Sequence, residues 1–306
     1  MFRAGLLAGM LAIAALSAGV AGAAGGDSET FVIAYACLLH VLSVLYGRTW
    51  LQAPEARPLA AHLGIGNALG ATLWLASLAL DEGARPVAWA VAMLLLIAAF
   101  ALAPWSRSVE PYDPGHVAER YGLFTIIVLG ESIVVAVAVA GLETGSSVAA
   151  ALVAALGFVI AAAIWWLYFG IFRSMPIDRG FGSRFVWAQG HLLVFGGIAA
   201  AAVGVEFAIE AAAAGEPLEL ADRLPLGAGL GAYMAALAAI RRASRGADWV
   251  VGLRLAGAGA VLALAIAGLG LEPLGFVALV AALVVGEAAI ELTRAPPTGA
   301  PRTSSG

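Results

Sequence analysis

The chain has 306 residues, of which 62% are hydrophobic and 12% charged, with a mean hydropathy of +0.96 and a formal net charge of −4. Water-soluble domains carry about 25% charged residues, so this composition lacks the polar surface needed to cover a folded body in water. It excludes a soluble globular protein, and an acidic chain without a basic run that carries interleaved aromatics excludes nucleic acid as a partner.

The apolar residues fall in ten long blocks separated by short polar breaks. In chain order these cover residues 2–24, 31–51, 59–80, 86–104, 119–141, 146–172, 185–213, 224–240, 249–271 and 273–292. About 20 residues of helix cross a hydrocarbon core of roughly 30 Å. Nine blocks reach that length, and 224–240 stands at the lower limit. Backbone groups at that depth find no water, so each block is predicted to be helical. The expected fold class is all-α, a polytopic transmembrane helix bundle of about ten spans that forms one domain, 1–292. Residues 293–306, with Pro296, Pro297 and Pro301, are predicted to be a disordered cytoplasmic tail. The first block also has the layout of a secretory signal peptide, with Arg3, an apolar stretch and the small residues Ala21-Gly22-Ala23. Retained span and cleaved signal both leave the loop with Asp27 and Glu29 outside.

All sixteen basic residues are arginine. With a cytoplasmic amino terminus, thirteen of them fall inside, only Arg85 and Arg223 fall outside, and Arg254 lies within a span. Positive charge collects on the cytoplasmic side of membrane proteins, so both termini are predicted to be cytoplasmic in a multi-pass protein of the cell's inner (plasma) membrane, with the lipid bilayer as partner. The single cysteine, Cys37, excludes an intrachain disulfide and a cysteine-based metal site.

The fifth block reads His116-Val-Ala-Glu119-Arg120-Tyr121-Gly122-Leu-Phe-Thr-Ile-Ile-Val-Leu-Gly130-Glu131-Ser132-Ile133. Glu131 lies eleven residues beyond Arg120, roughly 16 Å into the membrane. An ionisable side chain there costs on the order of 2.5–3.5 kcal/mol, so it calls for an explanation. Eleven steps of 100° return to nearly the same face, which makes His116, Arg120, Ile127 and Glu131 one stripe. A carboxyl that is neutral when buried and charged beside a cation suits proton relay or cation coordination. The structural alternative is a protonated Glu131 bonded to Ser132, a carbonyl or a neighbouring helix as packing glue.

Other intramembrane groups join the candidate transport site. His40 lies midway along the second block, placed to meet Glu131 at one depth, or else to be a satisfied core residue. His191 sits in the inner third of the seventh block, with Glu206 and Glu210 toward its outer end. Glu119 and Ser132 flank the stripe. Arg254 and Glu287 are expected to form a structural ion pair. The pairs Gly5/Gly9, Gly66/Gly70 and Gly227/Gly231 put small residues on one helix face for close packing. Trp50, Trp89, Trp105, Trp187 and Trp249 lie near block ends, where aromatics anchor at the interface. Gly130-Glu131 is echoed by Gly286-Glu287, and two groups of five spans would run in opposite directions, as inverted repeats require, though two residues make a thin repeat.

The pattern of a Glu-Arg pair, Gly-Leu-Phe, an aliphatic run and Gly-Glu-Ser-Ile resembles the bacterial low temperature requirement protein A family. Trp165-Trp166-Leu167-Tyr168-Phe169, Gly190-His191-Leu192, Gly196-Gly197 and Val203-Gly204-Val205-Glu206 agree with it. The resemblance implies a membrane protein linked to growth in the cold, of unestablished molecular activity. It also implies two further helices with a Glu-Leu-Phe-Phe-Asp-Leu-Val-Phe-like stretch ahead of the first block. This chain lacks them, so an amino-terminal truncation is expected. Gly170 stands where relatives carry an acidic residue.

No nucleophile motif, Gly-rich phosphate loop or His/Cys metal spacing is present, so neither enzymatic activity nor a cofactor is expected. Two functions stay open: a transporter of protons, ions or a small solute centred on Glu131, and a non-transporting component supporting cold adaptation or membrane organisation. Homo-oligomerisation stays open with them.

Overall fold

A computed structural model of the protein describes residues 2–103, 114–143, 147–172, 181–268 and 270–294. Among these residues there are ten α-helices and no strand. They are α1 (Phe2–Ala24), α2 (Glu29–Gln52), α3 (Arg57–Ala76), α4 (Arg85–Ala101), α5 (Pro114–Glu143), α6 (Val148–Phe172), α7 (Phe181–Ala214), α8 (Leu220–Arg245), α9 (Trp249–Ala267) and α10 (Pro273–Arg294). Each predicted block is one of these helices. Eight are long and apolar enough to cross a membrane, α4 is a shorter apolar helix of 17 residues, and α5 runs for 30. The protein is a polytopic helical membrane protein. Of the predicted tail, 293–306, Thr293 and Arg294 are helical and close α10, which corrects its start, and residues 295–306 lie outside the described residues.

The block at the lower length limit differs most from expectation. It is a 26-residue helix, and the most buried of the candidate spans. Its ends carry Asp222, Arg241, Arg242 and Arg245, which hide its length from a hydropathy reading. A capping box between Glu219 and Asp222 starts it, satisfying amide groups that the first turn leaves free.

The chain divides into two compact units, Met1–Asp113 with α1–α4 and Pro114–Gly306 with α5–α10. This division into four and six helices does not coincide with the expected five-and-five grouping of spans. In the first unit α2 packs between α1 and α3, around Val32, Ala36, Leu39, Ala71, Trp74 and Ala92. Gly66 and Gly70 let α4 approach α3: an added Cβ would lie 2.7 Å from Ala99 Cβ and 2.8 Å from Leu96 Cδ2, respectively. Arg85, one of the two arginines on the sparse side, is buried as a latch. It donates to Ser28 Oγ at 2.8 Å, to Leu80 O at 3.2 Å, to Leu78 O at 3.3 Å, and to the Glu82 carboxylate.

In the second unit α7 and α8 meet through their main chains. Gly190, Gly197 and Gly204 recur every seven residues on α7. A Cβ on Gly197 would lie 2.5 Å from Gly229 O, and one on Gly229 would lie 2.7 Å from Ala201 N. Gly204 touches Leu226, and Gly190 faces Ile240. Gly227 and Gly231 turn to α9, where they meet Val261, Ala265 and Ala258. Arg223, the other arginine on the sparse side, ties α8 to α9 by donating to Ala265 O at 3.0 Å.

The tryptophans divide. Trp50 and Trp249 are exposed near helix ends, each with an arginine over its ring, Arg57 at 5.3 Å and Arg294 at 5.5 Å. Trp89 and Trp187 correct the interface reading. Trp89 stacks on Trp74 at 5.2 Å, and Trp187 is buried against His191. In both cases inward aromatic partners outweigh the pull of the interface. Trp105 lies outside the described residues.

Candidate functional site

The stripe on α5 is a single face, and it points outward from the second unit. His116, Glu119, Arg120, Ile127 and Glu131 are all exposed. At its start the groups serve one another: Arg120 Nε donates to His116 Nε2 at 3.4 Å, and His116 Nδ1 lies 3.8 Å from Glu119 Oε2. Ser132 turns toward a small apolar cleft shared with Ile133, Gly157, Phe158 and Val205, but its hydroxyl is spent on Val128 O at 2.8 Å. His40 belongs to the first unit, where it is exposed and its Nδ1 bonds Ala36 O at 2.9 Å. Glu206 is half-buried on α7, fifteen residues from His191 and so roughly 22 Å along the same helix. The structure therefore groups His116, Glu119 and Arg120 and does not bring His191 and Glu206 together.

What it does assemble is a set of buried polar groups across α5, α6, α7, α8, α9 and α10. His191 is fully buried. Its Nδ1 lies 2.6 Å from Trp187 O and its Nε2 lies 3.2 Å from the Tyr168 hydroxyl. A carbonyl only accepts, so Nδ1 carries the proton. The neutral ring then accepts the Tyr168 proton at Nε2. Tyr121 closes the imidazole edge-on, with ring centres 4.6 Å apart. Thr125, also fully buried, donates to Tyr121 O at 2.9 Å and lies within hydrogen-bonding reach of Tyr168. Tyr121 and Thr125 are four residues apart, which puts them on one face of α5, adjacent to the outward stripe.

The next turns of α6 carry the set onward. Tyr233 on α8 is fully buried and donates to Ile164 O at 2.7 Å, close enough to Tyr168 for the two phenols to interact electrostatically. Arg254 on α9 is fully buried as well. Its Nε and Nη2 grip the two oxygens of Glu291 at 2.7 and 2.9 Å, and Nη2 reaches Leu167 O at 3.4 Å. The expected pairing of Arg254 with Glu287 is thus corrected. Glu287 and Glu291 are one turn apart on α10, and the forked edge of the guanidinium meets the outer carboxylate. Glu287 is 4% exposed, and neither of its oxygens, nor Arg254 Nη1, has a hydrogen-bond partner among the described residues. Sequence reasoning found Arg254, Glu287 and His191 as charges in apolar blocks. It passed over Tyr168, Tyr233 and Glu291, because tyrosines in apolar runs read as packing and Glu291 as a helix-end charge.

Outside the membrane-spanning segments, Asp248 caps α9 by accepting from Val251 N at 3.1 Å. Arg241 donates to it at 2.6–3.1 Å, which holds its carboxyl below the usual range.

A bundle of apolar helices with buried, mutually bonded ionisable side chains defines an integral membrane protein that keeps polar chemistry inside its span. The model of the family described as bacterial low temperature requirement A protein (LtrA) matches residues 1–289, and the chain belongs to that family. It is 27% identical over 158 residues to uncharacterized protein RA0937 of Rhizobium meliloti (strain 1021), over 46% of this chain. The chain spans 38% of that relative's length. No solved structure matches it.

Proposed function

We propose that the protein moves protons, or a small ion or solute coupled to them, across the bilayer through its second unit. The observation that carries this reading is the set of titratable groups gathered between these helices: His191 bonded to Tyr168, Tyr233 bonded one turn of α6 away to Ile164 O, and Arg254 bonded to Glu291 one turn of α10 from the buried Glu287. A bundle needing only stability gains little from such groups, since well-packed hydrophobic residues replace buried ion pairs at no loss. Glu131 contributes the outward face of α5, where a mid-span carboxyl supplies a second protonatable position. No enzymatic step is part of this reading.

The test is reconstitution into liposomes loaded with a pH-sensitive dye. An imposed gradient drives a flux in the wild type that falls about tenfold or more in Tyr168→Phe, as losing a bond worth over about 1.4 kcal/mol requires. Glu131→Gln lowers it too. Absence of any flux above that of protein-free liposomes would falsify the transport reading. The second reading, a non-transporting component of the membrane, draws on the glycine seam between α7 and α8, which suits a rigid packing element. It predicts that Glu131→Gln changes folding yield and nothing else.

A further inference from the structure

We infer that Glu287 is a reversible proton-binding site, and that Arg254 exchanges between Glu291 and Glu287 as the proton leaves and returns. This rests on the transport reading for its purpose but not for its chemistry.

Arg254 carries one positive charge, and in the structure that charge is already matched by Glu291 through two charge-assisted bonds. A second carboxylate beside the pair would leave a net negative charge where Glu287 is 4% exposed and its oxygens meet no donor. A buried carboxyl in that position avoids the cost by keeping its proton. The place is shaped for the acid group: Gly257 of α9 has no side chain where Glu287 Oε2 lies, and Met234 Sδ of α8 lies 3.3 Å from where a Cβ on Gly257 would stand. The groups facing Glu287 are few. Arg254 of α9 and Glu291 of α10 act on it by charge, and Tyr233 of α8 interacts electrostatically with all three. α6 supplies the carbonyls of Ile164 and Leu167 and, through Tyr233, Tyr168; α7 supplies His191, which is bonded to Tyr168.

The free Nη1 of Arg254 provides the second state. When the O–H bond of Glu287 breaks, the proton passes to water at the helix end past Glu291, whose side chain is 18% exposed. The guanidinium then turns its unused edge to the new carboxylate. Reprotonation returns it to Glu291. Glu287 and Glu291 are spaced four residues apart, so one guanidinium reaches either by side-chain rotation alone.

Dicyclohexylcarbodiimide, which adds to protonated carboxyls in apolar surroundings, tests this on the full chain in native membranes. Mass spectrometry of the digested protein should find the adduct on Glu287 and not on Glu291, with its yield lost as the pH is raised from about 5 to about 9. In Arg254→Gln the label should spread to Glu291. In Gly257→Ala, where the carboxyl is displaced, the Glu287 adduct should fall while the protein stays folded. Infrared spectroscopy gives a reading independent of reagent access, because the C=O band of a protonated carboxyl should bleach with rising pH and be missing in Glu287→Gln. An adduct yield that ignores pH, or a carboxyl band undiminished in Glu287→Gln, overturns the proposal. Neither reading depends on flux, so a protein that transports nothing can still pass, and a transporter can still fail.

Discussion

Tyr168 and His191 satisfy each other where neither meets water, and the imidazole has already committed its other nitrogen to Trp187 O. Removing the phenol hydroxyl strands a buried acceptor, which costs about 1–3 kcal/mol. Tyr168→Phe should therefore lower the thermal unfolding midpoint in detergent by that equivalent, while Tyr46→Phe, in the first unit, leaves it unchanged. Asp248 gives a pH-dependent counterpart. Its carboxyl is held below the usual range by Arg241, so its contribution is complete above the ordinary carboxyl range and is lost as pH falls through the lowered value. Asparagine keeps the helix cap but not the charge. The stability gap between wild type and Asp248→Asn should close as the pH drops from about 6 to about 3, and a gap constant with pH would contradict the assignment. Residue positions along the helices were legible, because counting from Arg120 gives the members of the stripe that holds Glu131. Which face the stripe presents was not. That is decided by α6 and α7, which take the neighbouring face with Tyr121 and Thr125, and no periodicity within α5 reports it.

At the scale of elements, hydropathy located all ten helices, with no end shifted by more than five residues and the greatest lengthening in α8. There the charged termini masked two turns, and burial inside the bundle replaced raw hydrophobicity as the reason for the helix. Small-residue pairs pointed to close packing at Gly66/Gly70 and Gly227/Gly231, but the sevenfold series on α7, which contains no such pair, packs as closely at Gly204 against Leu226 as Gly227 does against Ala265. Gly196 and Gly197 allow a matched experiment. Both gain the same helix propensity on becoming alanine, yet a Cβ meets nothing within 4 Å at Gly196 and collides with α8 at Gly197. Gly197→Ala should destabilise by about 1–3 kcal/mol relative to Gly196→Ala, as overpacking does, measured by thermal unfolding of the purified proteins. Equal midpoints would show that the helices part freely.

For the whole molecule, the arginine bias orders the turns into two sets. The two arginines that break the bias prove to be internal fastenings, Arg85 to Ser28, Leu78 and Leu80, and Arg223 to Leu218 and Ala265. They are thus no vote on orientation, and the remaining signal predicts that alkaline phosphatase is active when fused after Gly215 and inactive when fused after Gly246. Activity in the reverse pattern would invert the topology. The division into four and six helices falls in residues 105–118, the longest break between the apolar blocks, but length alone did not set that break apart as a boundary between units. The seam between α7 and α8 has one further bearing. Where main chains touch, neither rod can roll or slide without amide and carbonyl groups colliding, so the two behave as one stiff plate. Any working motion of this unit is left to the helices that meet the plate through side chains, and those are α5, α6 and α10, the carriers of Tyr121, Tyr168, Glu287 and Glu291.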